Sequence, residues 1–221
     1  KHLEKIQWAV RPTAAVIEKP ALFEDLSMNT NKIDGEEIRK VLKKLHKNET
    51  PGHDNLSPEF WVACADSDKI VQWITVLCNE IWQQHHIPQE WHVAKIACLY
   101  KKGDPAIPDN YRPVSLLPIG YKVFASILLA RMKEGGAEDR IMETQYGFKS
   151  GAGTRDAIFI VRRLLDQCAL GNNQKLVLLA LDWAKAFDSV APQCLAKALE
   201  RFGIPKSIVG IVKAIYTDRT F

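Results

Sequence analysis

The sequence predicts an α+β fold, and three observations carry that prediction. Helical and strand-like patterns interleave irregularly rather than alternating. Two segments, Val93–Tyr100 and Leu176–Leu181, lack breakers and have strand length. Most of the remaining chain places apolar residues at helical spacing. The 221 residues suit one large domain or somewhat more, and 47% hydrophobic with 25% charged residues is an ordinary balance for a globular core.

Residues 1–33 have weak periodicity and end in the polar run Ser27–Lys32, so they read as a loosely ordered lead-in. Asp34 then opens a helix, because Asp34 and Glu37 stand as N-cap and N3 of a capping box. Ile38, Val41, Leu42 and Leu45 fall on one face with lysines opposite, and Pro51-Gly52 breaks the pattern. Pro58 begins a second helical region. Lys69–His86 forms a third, with Ile70, Ile74, Leu77, Cys78 and Ile81 as its inward stripe. Val93–Tyr100 reads as a strand. The turn Lys101-Lys102-Gly103-Asp104 follows, then a loop through Pro105, Pro108 and Asp109-Asn110 that leaves Arg112 outside regular structure. A helix from Ile119 to Lys133 stops at Gly135-Gly136. After the Gly147–Gly153 loop, Asp156–Leu170 is helical, with Ile158, Val161, Leu164, Leu165 and Cys168 inward. Gly171-Asn172-Asn173 turns into Lys175–Asp182, apolar at every position from Leu176 to Leu181, as a strand buried on both faces is. Pro192 suits the first turn of a helix ending at Gly203. Pro205 opens a last helix carrying Ile208, Ile211, Val212 and Ile215.

Several classes fall away on composition. No apolar run approaches the ~20 residues that span a membrane. The chain opens on Lys1, which reads as a cut start, and no secretory signal follows. Five scattered cysteines without a CxxC pair read as reduced thiols of an intracellular protein. Cys78 with His85 and His86 is the one zinc candidate, at poor spacing. A net charge of +4 permits nucleic acid as a partner without demanding it.

Asp182 is the carboxylate of greatest interest, because burying one at the end of an apolar strand is costly unless something pairs with it. A hard cation such as Mg²⁺ takes oxygen ligands of this kind, and a strand-end turn or cap is the alternative reading. Asp188, just before a helix start, reads as a cap. Phe187 taken alone is equally a core residue. Arg112 offers the two-pronged grip on phosphate oxygens that lysine lacks, with Lys101 and Lys102 about ten residues before it on the same candidate hairpin; solvated loop charges are the alternative for all three. Gly151-Ala152-Gly153-Thr154 is not a P-loop, since the Gly-Lys-Ser/Thr ending is missing.

Four blocks, spanning about residues 34–221, resemble in order and spacing the reverse transcriptases of non-LTR (LINE-type) retrotransposons. The first is Thr50-Pro51-Gly52-His53-Asp54-Asn55-Leu56-Ser57-Pro58-Glu59-Phe60, with Asn55 where glycine is common. The second runs from Pro88-Gln89-Glu90-Trp91 through Lys101-Lys102-Gly103-Asp104 to Asn110-Tyr111-Arg112-Pro113-Val114-Ser115-Leu116-Leu117. The third is Gln145-Tyr146-Gly147-Phe148 through Gly151-Ala152-Gly153-Thr154-Arg155-Asp156, with Gly153 in place of the usual serine. The fourth is Leu181-Asp182 through Phe187-Asp188.

The resemblance implies a right-hand polymerase fold: a fingers-like region over 34–174 and the start of a palm over 175–221. It makes Asp182 the first metal-binding aspartate, with the carbonyl of Trp183 as a further ligand for Mg²⁺. Phe187 becomes the ring that packs under the sugar of the incoming deoxynucleotide and rejects a 2′-hydroxyl. Arg112 and either Lys101 or Lys102 grip the triphosphate. Gln145, Gly147 and Phe148 lie near the nucleotide pocket, and Gly151 and Thr154 near the template. The implied partners are an RNA template and a DNA primer, with no membrane and an open oligomeric state. The implied location is intracellular, the nucleus favoured over the cytoplasm.

One absence limits this. The family's Phe/Tyr-x-Asp-Asp hairpin has no counterpart, since the chain contains no Asp-Asp pair, and the Gly-Gln motif before it and the thumb are missing too. Asp218, at a helix end, is a poor substitute. The expectation is a polymerase fragment that is inactive alone, with a non-enzymatic nucleic-acid-binding remnant as the alternative. The Leu176–Leu181 strand, lacking a neighbour, is expected to make the chain prone to association.

Overall fold

In the computed structural model, residues 22–171, 175–183, 186, 187 and 189–217 are described. The Asn172-Asn173 turn, the Asp188 cap, Asp218 and the lead-in before residue 22 lie outside these residues. The described chain is mostly helical with one two-stranded hairpin, so the α+β reading holds.

Helix α1 (Gly35–Leu42) starts as its sequence dictates. The Glu37 N–H donates to Asp34 Oδ1 (2.8 Å) and the Asp34 N–H donates to Glu37 Oε2 (3.1 Å), closing the capping box. Ile38 and Leu42 are fully buried, and Val41 and Leu45 pack beside them. Helix α2 (Pro58–Cys64) is capped by the Ser57 hydroxyl, with Pro58 in its first turn. Helix α3 (Asp68–Gln84) buries Val71, Cys78, Ile81 and Trp82. Of the expected inward stripe, Cys78 and Ile81 are in the core and Ile70 and Ile74 pack against it, while Leu77 is exposed.

Strands β1 (Lys95–Tyr100) and β2 (Tyr111–Leu116) pair antiparallel, from Lys95 opposite Leu116 to Tyr100 opposite Tyr111. Arg112 thus stands in a strand rather than a loop. Pro113 is tolerated because each strand of a two-stranded sheet is an edge. Helix α4 (Ile119–Glu134) is the central element: Ile119, Val123, Phe124, Ile127 and Leu128 are all buried. Each such side chain contributes roughly 1.5–3 kcal/mol by leaving water. Helix α5 (Thr154–Leu170) follows the third block, and helices α6 (Pro192–Arg201) and α7 (Lys206–Tyr216) close the described chain. Ile208, Val209, Ile211 and Ile215 of α7 join the same core as α1, α3 and α4.

Two expectations fail together. Of the expected α5 stripe, Ile158, Leu164 and Leu165 are exposed and Val161 and Cys168 half-buried, and α5 buries no residue. Leu176–Leu181 is not a strand: residues 175–183 carry no regular structure, and Val177, Leu178, Leu179 and Leu181 are 62–91% exposed. The physical reason is shared. A strand buried on both faces needs neighbouring strands and covering helices, and the only sheet among the described residues is the β1–β2 hairpin.

A third expectation is corrected in the opposite sense. Residues 22–33, read as part of a loosely ordered lead-in, are tied down. Met28 and Ile33 are buried, and the Asn79 side chain holds both the N–H and the carbonyl of Ile33 at 2.8 Å. Arg131, 1% exposed, forks onto Glu37 (2.7 Å to each oxygen) and donates to the carbonyls of Asn29, Asn31 and Lys32. Its guanidinium lies 4.7 Å from the Trp82 ring centre. Polar residues 27–32 look like a free linker in sequence because their anchors are 52 to 102 residues away.

Candidate functional site

The first block proves to be scaffolding. Gly52 is buried against the backbone of Leu117 and Pro118: a Cβ there would lie 2.6 Å from the Pro118 nitrogen. The first block is thereby locked to the end of the second. Asn55 has φ +55°, so the departure from glycine is filled by a side chain that tolerates the left-handed region. Glu59 accepts the Asn48 N–H at 2.6 Å, and that bond holds its carboxyl below the ordinary range.

The hairpin positions the basic residues of the second block. Leu99 stands opposite Arg112, and the Lys101 N–H donates to the Asn110 carbonyl at 2.8 Å, extending the ladder by one pair. Side chains alternate along a strand, so Lys101 shares the face of Leu99 and Arg112, while Lys102 begins the turn. Lys101, Lys102 and Arg112 are all exposed. The other face carries Tyr100 and Tyr111, which the sequence reading passed over. Their rings are 5.5 Å apart, and the only signal for the pair is the register itself.

The third block forms an exposed arm between α4 and α5. Phe148 has φ +60°, uncommon for a bulky residue, and is 88% exposed. It also lines an apolar groove of about 600 Å³ with Leu129, Met132, Ile141, Leu199 and Phe202. The Gln145 side chain donates to the Gly147 carbonyl at 3.2 Å. Among the described residues, no atom would meet a Cβ at Gly147, Gly151 or Gly153 within 4 Å, and of these three Gly151 has a positive φ, +74°. Packing within the chain therefore gives no reason for glycine at 147 or 153. Thr154 is the first residue of α5 and is exposed.

The fourth block meets the third. Phe187, 78% exposed, sits edge-to-face with Phe148 at 5.8 Å between ring centres. Asp182 is not at the end of a buried strand. It is exposed, and its Oδ1 accepts the Trp183 N–H at 2.9 Å. Trp183 is exposed as well. The described residues do not assemble a Mg²⁺ site, since no group of three His, Cys, Asp or Glu side chains lies together among them. The zinc candidate fails too. Burial pushes the Cys78 thiol up to about 12, so it resists becoming the thiolate a metal needs. No described helix is long and apolar enough to cross a membrane.

The reverse transcriptase (RNA-dependent DNA polymerase) family matches residues 99–221, which contain the hairpin turn, strand β2, the arm and Asp182. The transposon TX1 uncharacterized 149 kDa protein of Xenopus laevis is 31% identical over 83% of this chain. The RNA-directed DNA polymerase from mobile element jockey of Drosophila melanogaster is 29% identical over 89%, and the probable RNA-directed DNA polymerase from transposon BS of the same organism is 26% identical over 89%. The chain spans 14–21% of the length of these relatives. It belongs to the reverse transcriptase (RNA-dependent DNA polymerase) family and is related to the reverse transcriptases of non-LTR retrotransposons.

Proposed function

We propose that this chain is the fingers and the first part of the palm of an RNA-directed DNA polymerase of a non-LTR retroelement, and that its exposed arm and hairpin bind an RNA template, a DNA primer and a deoxynucleotide. The Phe148–Phe187 contact carries this reading. Two residues 39 positions apart, from two separate blocks, meet at 5.8 Å with both rings exposed, as a surface that receives a ligand requires. The open space around Gly147, Gly151 and Gly153 supports close approach of a sugar-phosphate backbone. In this reading Arg112 and Lys101, on one face of the hairpin, grip the triphosphate. Phe187 packs under the sugar, where an added 2′-oxygen would clash.

Asp182 and the Trp183 carbonyl supply part of a Mg²⁺ site in a complete enzyme. The chain has no Asp-Asp pair to add to them, so it does not extend a primer by itself. The exposed, singly placed Asp182 equally favours the second reading, a nucleic-acid-binding remnant without catalysis.

The test is binding of a labelled RNA–DNA hybrid followed by anisotropy across a salt series. Binding that weakens steeply with salt is expected, since phosphate contacts release counterions. Arg112→Ala should weaken it and flatten the salt slope by about one contact. Absent or salt-independent binding would overturn both readings. Primer extension with Mg²⁺ by this chain alone would overturn the inactive assignment.

A further inference from the structure

The two faces of the β1–β2 hairpin differ in chemistry. One holds Lys101 and Arg112. The other holds Tyr100 and Tyr111, directly opposed across the ladder, with Lys102 beginning the turn just beyond Tyr100. Tyr100 is 50% exposed, on a strand of a two-stranded sheet with no third strand beside it among the described residues. Both hydroxyls are engaged locally: Tyr100 donates to the Gly103 carbonyl, and Tyr111 to the Pro105 carbonyl at 3.0 Å. The rings are thereby held at the turn, and their aromatic surface remains as the feature offered outward. Gly103 permits this at φ +100°, where a Cβ would strike the Asn110 amide at 2.7 Å.

We infer that the Tyr100–Tyr111 face is a stacking platform for an unpaired base of single-stranded RNA, with Lys102 holding the neighbouring phosphate. The inference rests on the reading of this chain as a template-binding polymerase segment, and adds to it a site on the face away from Arg112. An exposed ring suits an unpaired base, because every base has a π-face, and a lysine in the turn that follows suits the phosphate, because every linkage carries a negative charge.

The experiment compares two oligomers of equal length, single-stranded RNA and its abasic counterpart, binding to the full 221-residue chain. Tyr100→Leu is expected to weaken RNA binding about tenfold, within the range for loss of one stacked base, and to leave abasic binding unchanged. Tyr100→Phe, which keeps the ring and removes the hydroxyl, is expected to bind RNA like the parent. A 2-aminopurine base in the RNA is expected to be quenched by the parent chain and less so by Tyr100→Leu. Equal weakening of both oligomers, an RNA loss in Tyr100→Phe as large as in Tyr100→Leu, or unchanged RNA binding in Tyr100→Leu each overturns the platform while leaving template binding intact. Failure of the parent chain to bind either oligomer overturns the underlying reading, and the platform with it. Should Tyr100→Leu fail to fold, Tyr111→Leu carries the same comparison.

Discussion

The helical body and the exposed arm of this molecule are held by different means. In the body, three residues of the first block have an internal reason for their identity: Gly52 abuts Pro118, Asn55 fits a left-handed turn, and Glu59 holds Asn48. In the arm, several residues of the third and fourth blocks lack such reasons. Among the described residues, no atom comes near a side chain at Gly147 or Gly153, and Asp182 bonds to the next peptide alone, while Phe148 takes a strained conformation in solvent. A motif explained by packing is scaffold, and a motif that packing leaves unexplained points to a ligand. The arm is moored to the body through few polar contacts, among them Lys133 and Glu138 meeting the Ser150 hydroxyl at 3.1 and 3.0 Å.

The largest effect that separates the two regions is at Arg131. Arg131→Ala leaves Glu37 without its buried partner and frees three carbonyls, and should cost about 3–5 kcal/mol in urea unfolding. Phe187→Ala, in the arm, should cost under about 1 kcal/mol in the same assay, because the ring is already in solvent and loses one edge-to-face contact. Comparable losses at the two positions would erase the distinction. At Asn55 the scaffold explanation is tested by a pair of changes. Asn55→Ala should cost about 1 kcal/mol, because alanine enters the left-handed region poorly, and Asn55→Gly should be nearly neutral. An equal loss in both would mean that the side chain, not φ, matters there.

Phe148 reverses the logic. Phe148→Gly relieves the φ +60° conformation and gives up the contact with Phe187, two terms of similar size, so stability should change by less than about 1 kcal/mol. Binding of the RNA–DNA hybrid should nonetheless fall roughly threefold or more, by anisotropy, if the ring contributes even part of a base-stacking contact. Loss of stability without loss of binding would return Phe148 to the scaffold.

The helices were legible in sequence wherever the signal is local. The Asp34–Glu37 capping box, Pro192 in the first turn of α6 and Gly135-Gly136 after α4 each act within a few residues. What escaped depends on distant partners. The anchoring of residues 27–33 by Asn79 and Arg131 has no local trace. The apolar run Leu176–Leu181 looks like a buried strand because composition records the tendency to be buried, not whether a neighbour is there to bury it. The candidate site was legible as a set of motifs. That Phe148 would touch Phe187, and that Lys101 rather than Lys102 would share the Arg112 face, required coordinates and register.

Acid should act modestly on body and mooring alike. The Asn48 N–H holds the Glu59 carboxyl below its ordinary 4.5, Lys133 and then Ser150 do so for Glu138, and Lys213 for Glu200. A depressed carboxylate contributes stability that is present above its unfolded pKa and lost as pH falls through the lower folded value. The thermal midpoint should therefore hold down to about pH 4.5 and decline below it. All three groups are largely solvated, so the decline should be shallow. Glu138→Gln should flatten it, and an unchanged acid limb would show that the Lys133–Glu138–Ser150 mooring adds nothing.

The smallest effect is the most discriminating about the arm. Gly153 is the N-cap of α5 in extended backbone at φ −168°, which any residue adopts, yet it has no side chain to accept an N–H of the first turn. Only the return half of a capping box exists there, the Gly153 N–H donating to Asp156 at 2.8 Å. Gly153→Ser should supply the missing acceptor and stabilise the chain by a few tenths of a kcal/mol, about 1–2 °C in thermal midpoint. No atom of the described residues lies within 4 Å of the added Cβ. If binding of the RNA–DNA hybrid is unchanged, glycine at 153 is a neutral departure from the serine usual at this position. If binding falls while stability rises, the open space at Gly153 is where the nucleic-acid backbone approaches. The arm would then be giving up a cap in order to admit its ligand.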